Sequence, residues 1–170
     1  MNHQNGFSLL ELLCVLAILS ILAQMGSMHF LSVSQQAQDQ STLKLEMKRL
    51  ADALTQAREL AVLSGQASFV CGGFKCVGDW SMGFMLYQIE PRSGTKNEFR
   101  QIAFDRSVTV LWHGFPVKKQ QIEFQSNGLS GYQNGTFSFC LGAWQADLVL
   151  NQSGRFYLSN PYKVTGGQCG

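Results

Sequence analysis

The sequence predicts an α+β protein: one long N-terminal helix, transmembrane in its first half, packed on a C-terminal antiparallel β domain. Three observations predict it. An apolar run, Phe7–Met25, opens the chain, and a polar stretch with a helical apolar beat follows. Short aromatic and β-branched segments punctuated by Gly and Asn fill the rest. At 170 residues the chain suits one ordinary domain. Its 45% hydrophobic and 14% charged content is skewed, because the apolar surplus sits in the first thirty residues. A net charge of +2 is too small to imply a polyanionic partner.

As a helix rising about 1.5 Å per residue, Phe7–Met25 spans roughly 28 Å, close to the hydrocarbon thickness of a bilayer. A secretory signal would need a basic leader and a small-x-small cleavage site, but Met1–Gly6 has no Lys or Arg and no such site follows Ala23. A buried core helix would be shorter and apolar on one side only. A plain anchor leaves Glu11 unexplained, because a carboxylate in lipid is expensive and calls for a cation. No Lys or Arg within the helix reaches it. A cut before Phe7 would create an amino group four residues away, one turn along the same face.

Beyond the membrane half, Leu43, Met47, Leu50, Leu54, Ala57 and Ala61 form one stripe, while Lys44, Lys48, Asp52, Gln56 and Glu59 fall away from it. No proline precedes Pro91, so one helix from Phe7 to about Ser64 is expected, stopped by Gly65. Eight strands are predicted after it: 67–71, 83–89, 99–104, 108–112, 121–125, 136–141, 146–150 and 155–158. Asn127-Gly128, Asn134-Gly135 and Ser153-Gly154 read as turns. The expected organisation is a leader over 1–6, a membrane half over 7–31, a periplasmic half of the helix over 32–65 and a β domain over 66–170. Cys71, Cys76, Cys140 and Cys169 lie outside the apolar run and suggest two disulfides in an oxidising compartment; neither pair has the tight knuckle spacing of a zinc site.

Gly6-Phe7-Ser8-Leu9-Leu10-Glu11, ahead of an apolar stretch, resembles the class III prepilin signal of type IV pilins and type II secretion pseudopilins. The resemblance implies cleavage after Gly6 by a prepilin peptidase, N-methylation of Phe7, and pairing of Glu11 with the N-terminus of an adjacent subunit. The chain departs from the pattern in its uncharged leader and in lacking a proline just beyond the membrane half. Ala57-Arg58-Glu59-Leu60-Ala61, Trp80–Tyr87 with its Trp-x-x-Gly core, Ile122–Gly128, Thr136–Cys140 and Leu148–Arg155 are similar to the GspH/FimT group of minor pilins. The fold is therefore expected to be pilin-like, with Cys71–Cys76 closing a small loop and Cys140–Cys169 tying the tail to a strand.

Nothing in the sequence has the form of a catalytic, metal or cofactor site. His3, His29 and His113 are scattered, and Gly128-Leu129-Ser130-Gly131 lacks the Gly-x-Ser-x-Gly frame of a nucleophile elbow. The function implied is structural: a minor pilin or pseudopilin that assembles with or primes other subunits of a type IV pilus or secretion pseudopilus. Its partners would be those subunits, the prepilin peptidase and the inner membrane, with the C-terminal domain in the periplasm. The alternative is a DNA-uptake role, since some FimT-like pilins bind DNA through basic residues that include Gly-Arg-x-Arg. Here Gly154-Arg155-Phe156-Tyr157 keeps the first arginine and places tyrosine at the second. Lys118, Lys119, Arg155 and Lys163 are the candidate contacts to double-stranded DNA, through phosphates rather than bases.

Overall fold

The computed structural model describes residues 9–164, with the side chains of 23–32 outside the described set. The chain divides into two compact units, Met1–Gln38 and Asp39–Gly170. The helix α1, Leu9–Ser64, contributes residues to both.

Within the second unit, the stripe of α1 is buried. Leu43, Met47, Leu50, Leu54, Ala57 and Ala61 all lie in the core, joined by Ala51 and Ala53. The alanines bring the helix backbone close to the sheets, so that Ser68 Oγ donates to the Ala57 carbonyl. Glu46 was not foreseen as buried; it is only 3% exposed, and Arg49 Nη1 donates to its two oxygens at 2.9 and 3.1 Å. The helix stops where Gly65 takes φ +67°, a left-handed turn that glycine enters without steric cost. The last turn has no basic residue. Ser64 Oγ donates to the Leu60 carbonyl at 2.6 Å, and buried Gln88 of the sheet donates through Nε2 to Ser64 Oγ at 2.8 Å, the same nitrogen lying 3.5 Å from the Leu60 carbonyl.

Among the described residues nine strands follow: β1 Ser68–Gly72, β2 Phe84–Ile89, β3 Lys96–Ile102, β4 Thr109–Phe115, β5 Gln121–Phe124, β6 Asn134–Leu141, β7 Trp144–Leu150, β8 Phe156–Leu158 and β9 Tyr162–Lys163. They form two antiparallel sheets, ordered β3-β2-β1-β5 and β4-β6-β7-β8, with β9 also pairing β7. One core joins both sheets to the helix. Phe104 meets Phe84 and Phe139 edge-on at 5.7 Å, and Trp80 and Trp112 both close on Phe137 at 4.7 Å. A smaller cluster of Cys71, Met85 and Tyr87 is packed by Phe69 and Cys76.

Two expectations are corrected. Asn134-Gly135 is not a turn; it opens β6, where Gly135 pairs with Gly114 of β4. A Cβ on Gly135 would sit 2.5 Å from the His113 carbonyl oxygen and 2.7 Å from both Gly114 Cα and the Trp112 ring, so the glycine admits the close backbone of β4 together with the indole. The turn between β6 and β7 is Gly142-Ala143 instead, and the two-residue β9 was not predicted. The third strand also begins earlier than expected, at Lys96. It is an edge strand, exposed along most of its length, and carries Lys96, Glu98 and Arg100.

Candidate subunit interfaces

Ten large apolar side chains of α1 between Leu9 and Leu22 are exposed, from 42% at Val15 to 78% at Leu9. They come in adjacent pairs separated by Glu11, Cys14, Ala17 and Ser20, and at about 100° per residue they are distributed around every face of the helix. Glu11 stands among them, exposed in the first turn, and Cys14 is a free, exposed thiol. Gly6 and Phe7, the expected cleavage and methylation positions, lie outside the described residues. Among the described residues no helix is long and apolar enough to cross a membrane.

Cys71 and Cys76 form a disulfide across a Cα separation of 5.0 Å. Cys71 is buried in β1, while Cys76 adopts a left-handed φ of 53°. Lys96 reaches over this corner, its Nζ 3.7 Å from Cys76 Sγ and 4.4 Å from the Tyr87 ring centroid. Tyr87 donates to Gln121 Oε1 at 2.6 Å; burial, and then the charge of Glu123, raise its phenol above the ordinary value. Cys140, nearly buried on β6, is disulfide-bonded; Cys169, its expected partner, lies outside the described residues.

The four basic candidates do not form one patch. Lys118 and Lys119 lie in the connection from β4 to β5, where Trp80 Nε1 donates to the Lys119 carbonyl at 2.8 Å. Burial lowers the Lys119 amine, against an opposing pull from Glu123. Arg155 is exposed just before β8, and its carbonyl accepts from the Asn151 amide at 2.8 Å. The register Phe115–Asn134, Gly135–Leu150, Leu150–Phe156 sets the end of β4 and the start of β8 at one end of the sheet. Three strand spacings separate them, about 14 Å. Lys163 pairs with Trp144, six residues along β7 from Leu150, hence about 20 Å from the Arg155 end. Its Nζ lies 5.3 Å from the Trp144 ring. Tyr157, in the second arginine position of the motif, is exposed opposite Val149.

No group of His, Cys, Asp or Glu suited to a metal ion occurs among the described residues. What the sequence reading missed is a set of hollows around the disulfide loop, bordered by exposed Phe74, Val77, Met82 and Val117. Their only sequence signal was apolar residues in predicted loops, a pattern that core residues share.

An apolar helical opening, and a helix stripe packed on two antiparallel sheets in the second unit, define a protein of the pilin class. The chain belongs to the type II transport protein GspH family, which matches residues 46–154. The prokaryotic N-terminal methylation motif matches residues 1–23 and indicates type IV pilin processing, leading to a pilus or pseudopilus. The family is a structural one of minor pilins and pseudopilins, and membership implies contact with other such subunits. Among solved structures, the fold is similar to the type IV minor pilin FimU of Pseudomonas aeruginosa, with a TM-score of 0.55 at 20% identity over 68% of this chain and 91% of that one. It is also similar to the minor pseudopilin EpsH from the Type 2 Secretion System of Vibrio cholerae, with a TM-score of 0.54 at 16% identity over 69% and 95%. No curated protein sequence matches the chain.

Proposed function

We propose that this chain is a minor subunit that joins or primes a type IV pilus or a type II secretion pseudopilus. The observation that carries the reading is Leu9–Leu22, a helical segment apolar on every face, exposed, and bearing one carboxylate in its first turn. Such a surface suits lipid first and neighbouring helices afterwards. The uncut chain would be held in the inner membrane by Phe7–Met25, with the β domain in the periplasm. A prepilin peptidase would cut after Gly6, and Phe7 would be methylated. Glu11 would then pair with the new N-terminus of a neighbour and set the register of the two helices.

A fold similar to both a minor pilin and a minor pseudopilin fits either filament as host. The spread of Lys118, Lys119, Arg155 and Lys163 over both ends of the second sheet does not favour double-stranded DNA over another subunit as partner. The test is Glu11→Ala in cells that assemble the filament, with the sheared fraction probed for this chain. The variant should accumulate, keep its disulfides and melt normally, yet be lost from filaments. Wild-type levels in the sheared fraction would overturn the pairing role.

A further inference from the structure

The loop Gly73–Asp79 is held firmly, yet it does not fold its apolar side chains inward. The Cys71–Cys76 disulfide closes it, the Gly73 amide donates to the Gly83 carbonyl at 2.9 Å, and the Gly72 amide donates to the Gln120 carbonyl at 2.9 Å. Trp80, in the short 3-10 helix Trp80–Met82, anchors its far side. On this fixed frame Phe74, Val77 and Met82 stay exposed, Val77 at 61%, and Val117 across the gap is 80% exposed.

Between these side chains lie three adjoining hollows of about 390, 380 and 230 Å³. They share walls: Val77 lines the first and third, Phe74 and Met82 the second and third, and Ser81 the first and second. The largest has Trp80 and Trp112 in its lining and runs along the outer edge of β4. Ser81 Oγ takes the Val110 amide on that edge at 2.9 Å. Two residues further on, the Trp112 main chain faces the same side, as strand alternation requires. The charges around the hollows are unbalanced. Lys75, Arg106, Lys118 and Lys119 line them, against Asp79 alone.

We infer that this face docks an extended acidic segment of a neighbouring pilin-type subunit, with bulky apolar side chains in the hollows and its carboxylates among Lys75, Arg106, Lys118 and Lys119. Each feature selects part of the occupant. Adjoining hollows of this size take a few bulky side chains of one segment, where a lipid surface would call for a bulging apolar patch. Ser81 Oγ engages both main-chain groups of Val110, so the Trp112 stretch of that edge is the part that suits a short extended backbone. The basic excess selects an acidic partner segment, which the same basic face on a second copy would not supply.

The inference rests on the subunit reading above, and its test separates the two. A photocrosslinking benzoylphenylalanine is introduced in the full chain at Val77, at Val117, and at exposed Ser93 as control, in filament-assembling cells. Irradiation should link positions 77 and 117, but not 93, to an acidic segment of another pilin-type subunit. Lys118→Glu should cut that yield about fivefold or more without changing the melting temperature, and an acid-to-lysine change at the linked site should restore it. Capture of lipid, DNA or only a second copy would overturn the inference, as would yields equal to position 93 or indifferent to Lys118→Glu. If wild-type chain is itself missing from sheared filaments, the subunit reading fails; if it is present while the crosslinks are absent, only the docking face fails.

Discussion

Leu9–Leu22 and Leu43–Ala61 belong to one helix and follow opposite rules. In the second segment apolar residues step by three and four and are buried, while Lys44, Lys48, Asp52 and Glu59 face water. In the first, apolar residues fill every face and are all exposed. Helix propensity does not distinguish the two, since both are rich in good helix formers. The difference lies in what each is patterned to meet. A stripe needs one partner surface, which the β strands of the same chain supply; all-round apolarity needs surroundings that are apolar in every direction.

Core truncation tests that contrast most severely. Leu54→Ala should destabilise the protein by about 2–5 kcal/mol, whereas Leu16→Ala should leave thermal unfolding unchanged. Equal losses would mean that the first segment is packed within its own chain after all. Next in size is Cys140→Ser, expected to cost about 2–4 kcal/mol under oxidising conditions. Peptide mapping without reductant should recover Cys140 joined to Cys169; a link to Cys14 would break the separation of the two regions.

Gln88→Leu isolates the way the stripe segment ends. Leaving Ser64 Oγ without the Gln88 donor should cost about 1–3 kcal/mol and speed amide exchange in the final turn of α1. No change in exchange there would show that water serves equally well. The smallest effect concerns the tail. Tyr162 donates to Asp147 Oδ2 at 2.7 Å; burial first, then that bond and the Asp147 charge, push its phenol up to about 12. With the folded value above the ordinary one near 10, the contribution is complete below about pH 10 and is lost as pH rises toward 12. Tyr162→Phe should flatten that alkaline dependence, read as proteolysis of the tail against pH.

Much of the fold was legible because it is written in local period. The stripe from Leu43 to Ala61 and the stop at Gly65 stand where the helical spacing put them, and all eight predicted strands overlap strands of the two sheets. The failures are tertiary. Asn134-Gly135 carries a turn signature, but its glycine admits the backbone and the Trp112 indole of a different strand, which no local window contains. Gly142-Ala143 turns the chain without the Asn-Gly or Asp-Gly pair that announces such turns. β9 is too short to show a period.

The candidate site divides in the same way. Glu11 stands out in the sequence because a carboxylate is conspicuous in an apolar run, and its place in the exposed first turn of α1 follows from that run. The spacing of the basic residues was not, since Arg155 and Lys163 are neighbours in sequence and lie at opposite ends of β7 only because of strand register. The hollows around Val77 needed three separate segments to come together.

The edge strand β3 carries a further consequence. Packed side by side at the density of a filament, proteins with open strand edges risk zipping together edge to edge, a contact that would compete with the intended geometry. Lys96, Glu98 and Arg100 set charges at alternate positions along that edge. Any second strand laid against it would have to match or bury them. One sheet margin is thus made a poor template for stray pairing, so crowding this subunit need not lead to aggregation.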